Sequence, residues 1–275
     1  MSEYFFKATM ALTIVLGLTA CGGGGGGSSS TSAAPSSTGA SAPATAASAP
    51  GGVYVGYYAE DPTANEEDPT VGAVSVNLPE GNAGFNGAMY FTYFGCQSEN
   101  VGNITGTKTD ATLNGSWAGT VDGTTQSGSL AATYQDTTQS FHGTYTVAGG
   151  KQHISIPDCG GEPFNYYIAP YGTFELFPEG VSLPTDFSVS EASGSIHWST
   201  VANAQYALVY VADPARLTAG ASPVVWQQLV SDPTTGQLSI PDTVALEAGK
   251  SYIAVVVLGD ASGQRIGFGS HRFTP

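Results

Sequence analysis

The stretch LNGSWAGTV, residues 113–121, carries the clearest secondary-structure pattern in the chain. Every second position is apolar or glycine, and the positions between them are small and mostly polar. The apolar positions are Leu113, Gly115, Trp117, Gly119 and Val121. A period of two is typical of an antiparallel strand with one face in a core and the other in water. The stretch therefore predicts a β-sheet protein.

The same alternation continues beyond the Asp122-Gly123 turn signal, over residues 127–134 and 141–147. Gly149-Gly150 then predicts a further hairpin into KQHISI. Glycine mixed with aromatic residues on one strand face is typical of a small barrel, in which small and large side chains fill a tapering interior. We predict an antiparallel barrel of about seven to nine strands over residues 53–180, with a two-sheet sandwich as the alternative.

Residues 181–275 carry a second strand-rich pattern. The segment DFSVSEASGSIHWSTVANAQYALVYV holds Trp198, and LEAGKSYIAVVVLGD holds Leu246, Gly249 and Tyr252. These segments resemble strands A to C and the turn into strand F of a fibronectin type III domain. The resemblance implies a β-sandwich with Trp198 in its core and Tyr252 bonded back to nearby backbone. The short segment 178–185 between the two regions favours packing of one against the other.

The N-terminal segment differs from everything that follows. Residues 1–20 carry Lys7 and then an apolar run that is too short to span a membrane as a helix, as in a secretory signal. The sequence LTAC, ending at Cys21, resembles the lipobox of bacterial lipoproteins, and a plain secretory signal is the alternative. Residues 21–52 hold glycine, serine, alanine and proline without charge, which predicts a disordered tether.

The lipobox resemblance implies that Cys21 carries diacylglycerol and palmitate, so that the chain is anchored to a membrane. In that family a residue other than aspartate after the cysteine, here Gly22, implies the outer membrane. Whether the folded part faces the periplasm or the cell surface is left open. With Cys21 lipidated, Cys96 and Cys159 remain as a predicted disulfide in an oxidising compartment, and two separate thiols are the alternative.

Charge excludes one class of partner. The net charge is -15, and residues 53–180 hold 14 acidic against 2 basic side chains. Phosphate backbones attract basic surfaces, so we expect no nucleic-acid partner.

The chain shows no motif of nucleophilic, metal or nucleotide chemistry, so we predict no catalytic residues, no metal and no cofactor. His142, His153, His197 and His271 are scattered and fit strand surfaces. The acidic loop from Glu60 to Asp68 fits a solvated loop, with a calcium site as the alternative.

Aromatic residues are dense in the first region and suggest a candidate binding patch. The run MYFTYFG places aromatic side chains on both faces of one strand, so one set is either covered by another part of the chain or exposed. Aromatic side chains are common anchors in protein interfaces. The candidate patch consists of Tyr90, Phe94, Tyr57 and Tyr167.

Together these features predict a lipid-anchored, non-enzymatic envelope protein that binds a protein or glycan partner. A small-molecule carrier with a cavity in the barrel is the alternative. Against the carrier, large inward side chains can fill an eight-stranded barrel completely. A hydrolase assembled from distant carboxylates is the third hypothesis.

Overall fold

The computed structural model describes residues 48–64, 70–93, 96–121, 124–159, 162–218 and 223–275. Within these ranges the side chains of residues 91–100, 121–124, 154–166 and 218 lie outside the description. The described chain is mainly β-strand. The first ten strands are β1 Gly52–Glu60, β2 Val71–Leu78, β3 Ala83–Tyr93, β4 Cys96–Thr109, β5 Thr112–Val121, β6 Thr124–Gln135, β7 Ser140–Thr146, β8 Gln152–Cys159, β9 Glu162–Ile168 and β10 Tyr171–Pro178.

Eight of these strands close into an antiparallel barrel in the order β1-β10-β7-β6-β5-β4-β3-β2. The strands from β1 to β7 pair with their neighbours along the chain, and β10 closes the ring between β7 and β1. At this seam Phe174 of β10 lies between Tyr58 of β1 and Gly143 of β7. The predicted small antiparallel barrel is therefore confirmed, and closure pairs both edges of the curved sheet.

The alternation predicted from LNGSWAGTV is also confirmed. Leu113 and Trp117 are buried inside the barrel, whereas Asn114 and Ser116 are exposed on its outer surface. The same inward face continues on β6 and β7, where Leu130 is buried. Period two in the sequence thus reports the two faces of the barrel wall.

The glycines on the strands permit close approach of neighbouring backbone. A Cβ atom at Gly128 would lie 1.7 Å from the carbonyl oxygen of Thr146 and 2.5 Å from the indole nitrogen of Trp117. That indole Nε1 donates a hydrogen bond of 3.0 Å to the same carbonyl oxygen. Any larger residue at Gly128 would push the strand and the tryptophan apart.

Side chains fill the barrel. Its interior cavity measures about 10 Å³ and is lined by apolar side chains and Tyr145, with Phe85, Met89 and Ile104 among them. That volume corresponds to about one water molecule, and a cavity with such a lining stays dry. The described interior therefore has no room for a small-molecule ligand.

Strands β8 and β9 form a separate two-stranded hairpin outside the barrel. The predicted hairpin between β7 and β8 is wrong, because β10 occupies the edge of β7 and β8 pairs with β9 instead. Gly149 and Gly150 have φ values of 86° and 79°, which glycine adopts without strain. They turn the chain out of the barrel wall and into this hairpin.

The C-terminal region adds one short helix, α1 Pro214–Thr218, and two further sheets. Its strands are β11 Ser182–Leu183, β12 Val189–Ala192, β13 Ser195–Trp198, β14 Tyr206–Ala212, β15 Val224–Val230, β16 Gln237–Ser239, β17 Tyr252–Gly259 and β18 Arg265–Phe273. One sheet has the order β11-β18-β17-β14-β15, and the other has the order β12-β13-β16. Trp198, Val209 and Val256 belong to the apolar core between the two sheets.

The five-stranded sheet is buried on both faces, because its second face packs against the barrel. Leu208 and Val255 share a core with Val55 and Phe177 of the barrel. Tyr210 is fully buried there, and its hydroxyl donates to the Gly56 carbonyl oxygen at 2.8 Å and accepts from the Gly56 N–H at 2.9 Å. Barrel and C-terminal sheets thus belong to one compact unit.

Candidate functional site

Three side chains at the base of the β8–β9 hairpin form a cluster that we call the hairpin patch: Lys151, His153 and Tyr167. His153 and Tyr167 are direct partners across the two strands, and their ring centroids lie 5.1 Å apart. The Lys151 ammonium lies 4.4 Å from the centroid of the Tyr167 ring. Lys151 follows the Gly149-Gly150 turn directly and precedes the first residue of β8. The arrangement is a cation–aromatic cluster at the surface.

Tyrosine exposure distinguishes this part of the molecule. Tyr167 is 38 % exposed and Tyr171, which begins β10, is 44 % exposed. They are the large apolar side chains that the described part of the chain leaves exposed. Tyrosine combines an apolar ring with a polar tip, so an exposed tyrosine is a ready contact for a partner.

Two members of the predicted patch are not exposed. Tyr90 and Tyr57 are 6 % and 8 % exposed, because the C-terminal sheet covers the barrel face that carries them. The Tyr90 hydroxyl donates to the Val224 carbonyl oxygen at 2.9 Å. Phe94 lies outside the described residues. Among the described members of the patch, the exposed one is Tyr167.

The buried Tyr57 belongs to a polar network between the barrel and β18. Glu175 accepts a hydrogen bond of 3.0 Å from the Tyr57 hydroxyl and one of 2.6 Å from Nε of Arg265. Its other oxygen lies 3.0 Å from Nδ1 of His142, and Nε2 of His142 lies 2.9 Å from Oγ of Ser140. The network therefore joins three barrel strands to the C-terminal sheet.

Serine, histidine and carboxylate in this order resemble the relay that activates a nucleophile. However, Ser140 has no exposed surface, and Oγ1 of Thr138 lies 2.6 Å from its hydroxyl oxygen. A substrate carbonyl cannot reach that oxygen in this state. We therefore assign the Ser140–His142–Glu175 network a role in joining the two regions.

Burial and charge shift the pKa values of groups in this network. Burial raises the pKa of the Tyr57 hydroxyl well above its usual range, and the nearby Glu175 carboxylate raises it further. Burial lowers the pKa of Arg265, but the Glu175 carboxylate and the Tyr57 hydroxyl together raise it overall. Near neutral pH the tyrosine is thus neutral and the arginine charged.

The other predicted residues lie apart from the hairpin patch. Cys21 lies outside the described residues, and so do the side chains of Cys96, which begins β4, and Cys159, which ends β8. Glu60 is buried and accepts from the backbone N–H groups of Thr70 and Ala169, while residues 65–69 of the acidic loop lie outside the description. Across the described residues no three His, Cys, Asp or Glu side chains cluster as metal ligands would.

Sequence reasoning missed Lys151 as a site residue, although a signal for it exists. Lys108 and Lys151 are the two lysine or arginine residues between residues 53 and 180. Lys151 follows Gly149-Gly150, which predicts a turn, and side chains at turns are usually exposed. Lys108 is fully buried and donates to the carbonyl oxygens of Pro79 and Gly81. Lys108 is therefore buried, whereas Lys151 is exposed to solvent.

Comparisons of the chain with protein-family models, curated proteins and solved structures find no match. In the described part of the chain, no helix is long and apolar enough to cross a membrane.

Proposed function

We propose that this chain is a lipid-anchored, non-enzymatic bacterial envelope protein that binds a protein or glycan partner through the hairpin patch. The observation that carries the proposal is the exposure of Tyr167 and Tyr171 in a fold whose other described large aromatic side chains are mostly covered. Tyr167 lies on a hairpin that is not part of the barrel wall and Tyr171 at the first position of β10, where each can contact a partner.

The filled barrel supports this proposal over the carrier alternative. A carrier pocket for a small molecule measures about 300 Å³ or more, whereas the described interior cavity measures about 10 Å³. We therefore propose that binding occurs outside the barrel, at the hairpin patch.

We further propose that residues 181–275 form a fibronectin type III-like module. The strand orders β12-β13-β16 and β11-β18-β17-β14-β15 support it, because they match the two sheets of such a sandwich with one added strand. Trp198 is buried in the core, and the Tyr252 hydroxyl accepts a hydrogen bond of 2.9 Å from the Glu247 N–H. That bond is the expected contact of a tyrosine corner.

The proposed anchor puts the protein at the outer membrane, with Cys21 lipidated and the residues from Gly22 up to the barrel as a tether. Several acyl chains make anchoring effectively permanent, since each buried CH₂ group contributes about 0.8 kcal/mol. In producing cells the full chain should take up labelled palmitate and sediment with outer membrane. Cys21→Ser should lose both properties, and a membrane-bound, unlabelled wild type would contradict the anchor.

The binding role is tested by surface plasmon resonance with the full chain against purified envelope glycans and envelope proteins. Replacement of both exposed tyrosines, Tyr167→Ala and Tyr171→Ala, should weaken binding about tenfold or more. Aromatic side chains that a partner covers on binding contribute much of the binding energy. The control is Asn114→Ala with Ser116→Ala, two exposed positions on β5. Equal binding by both double variants would contradict the proposed site.

A further inference from the structure

Lys151 differs in its partners from the other lysine and arginine side chains of the described chain that are not fully buried. Arg216 and Lys250 pair with Asp213, and Arg265 and Arg272 pair with glutamates. Lys151 has no carboxylate within 4.0 Å among the described side chains and lies over the Tyr167 ring instead. A cation that lies on an aromatic face and has no carboxylate beside it can bind an outside anion.

The Tyr167 ring adds a flat contact of the size of one sugar ring. The C–H groups on one face of a pyranose carry partial positive charge and meet the negative face of an aromatic ring. Lysine has a flexible four-carbon stem, so its ammonium can move from the ring face to a carboxylate on a sugar that stacks there.

The exposed face of one tyrosine suits a single sugar unit. Tyr167 is 38 % exposed, and its ring is the aromatic surface beside Lys151. A protein partner that contacts the same ring is an outcome that the test below distinguishes.

Net charge further narrows the ligand. The acidic surface repels a polyanion, but charges beyond about 8 Å are screened at physiological salt. A single carboxylate can therefore bind Lys151 without strong repulsion from the distant acidic side chains of the protein. The geometry favours a glycan with isolated acidic sugars over a nucleic acid or a sulfated polymer.

We propose that the hairpin patch binds a carboxylated sugar of a glycan, with the sugar ring on Tyr167 and its carboxylate on Lys151. This proposal rests on the binding function proposed above and adds the ligand class. The contact between Lys151 and the sugar carboxylate makes an acidic sugar bind more tightly than a neutral one. Stacking on the Tyr167 ring contributes to the binding of both.

The test measures binding of the full chain to oligosaccharides that end in glucuronic, galacturonic or sialic acid, each beside its neutral counterpart. At least one acidic member should bind about threefold to tenfold more tightly than its neutral counterpart, as expected for a partly exposed charged hydrogen bond. Lys151→Gln should abolish this preference and keep binding to the neutral sugar. Tyr167→Ala should weaken binding to both.

Arg216→Gln is the matched control, because it removes one exposed positive charge from a pair with Asp213, outside the patch. It should leave the acid preference unchanged. Equal binding of acidic and neutral sugars, or none of either, would overturn the ligand class. If a protein then cross-links at position 167, the proposed binding function stands and only the ligand class fails; if nothing cross-links there, both fail.

Discussion

Tyr210 shows how one hydroxyl joins the two regions of the molecule. Its oxygen bonds to both the N–H and the carbonyl of Gly56, and the side chain is fully buried. Tyr210→Phe keeps the ring but leaves both backbone groups without that partner. Burying an unsatisfied donor costs about 1–3 kcal/mol, so we expect the free energy of unfolding in urea to fall by that amount.

Tyr206→Phe is the control for this prediction, because Tyr206 lies on the same strand. Its hydroxyl reaches only the Gly263 carbonyl oxygen at 3.5 Å, which is marginal for a hydrogen bond. We expect a change below about 0.5 kcal/mol. Equal losses in the free energy of unfolding would show that the hydrogen bonds between Tyr210 and Gly56 stabilise the fold no more than the weak contact of Tyr206 does.

The ion pair between Arg265 and Glu175 allows a second substitution test. Its side chain and that of Glu175 are 19 % and 18 % exposed, so Arg265→Met leaves a mostly buried carboxylate without its cation. We expect a loss of about 1–3 kcal/mol in the free energy of unfolding. Arg272→Met breaks a more exposed pair with Glu179 and should cost about 0–1 kcal/mol. The reverse order in urea unfolding would contradict this reading.

At the scale of elements, the barrel depends on glycines that let strands approach. In Gly128→Ala the new Cβ would lie 1.7 Å from a backbone oxygen, so β6 and β7 must separate. Overpacking costs about 1–3 kcal/mol, and the clash with rigid backbone puts this variant at the upper end of that range. Gly84→Ala meets its nearest atom at 3.6 Å and should change stability by less than about 1 kcal/mol. Thermal unfolding of both variants gives the comparison, and similar midpoints would refute it.

The same elements show which parts of the fold the sequence predicts. Period two in β5, β6 and β7 reports an inside and an outside, so these strands follow from local pattern. The pairing of β8 does not follow, because Gly149-Gly150 is compatible with any turn and the choice depends on β10 competing for the edge of β7. Partner choice between distant strands is a tertiary effect that short segments do not encode.

At the scale of the whole molecule, the packing of the C-terminal sheet on the barrel decides which aromatic residues are exposed. The run IAVVVL within β17 is apolar at every position, and an unbroken run is typical of a strand buried on both faces. That signal could have predicted a covering partner for the second face. It does not identify the barrel face that carries Tyr57 and Tyr90, so the exposed patch could not be located from sequence.

Buried tyrosines give the whole molecule a defined response to alkaline pH. Burial raises the pKa of Tyr57, Tyr145 and Tyr210, and raises that of Tyr206 to about 12. In the unfolded chain the tyrosine hydroxyl ionises at about pH 10. Their contribution to stability is therefore complete below about pH 10 and falls as the pH rises towards the folded values.

A titration that follows tyrosinate absorbance and circular dichroism together tests this response. The buried tyrosines should ionise only as the β-sheet signal is lost. Full tyrosine ionisation near about pH 10 with an unchanged β-sheet signal would contradict their burial.

The proposed contact between the hairpin patch and its partner can be detected by site-specific photocross-linking in producing cells. A photoreactive phenylalanine is placed at position 167 and, as control, at position 116 on the outer face of β5. We expect a specific cross-linked product, protein or glycan, at position 167 and none at position 116. No product at position 167, or the same products at both positions, would contradict it.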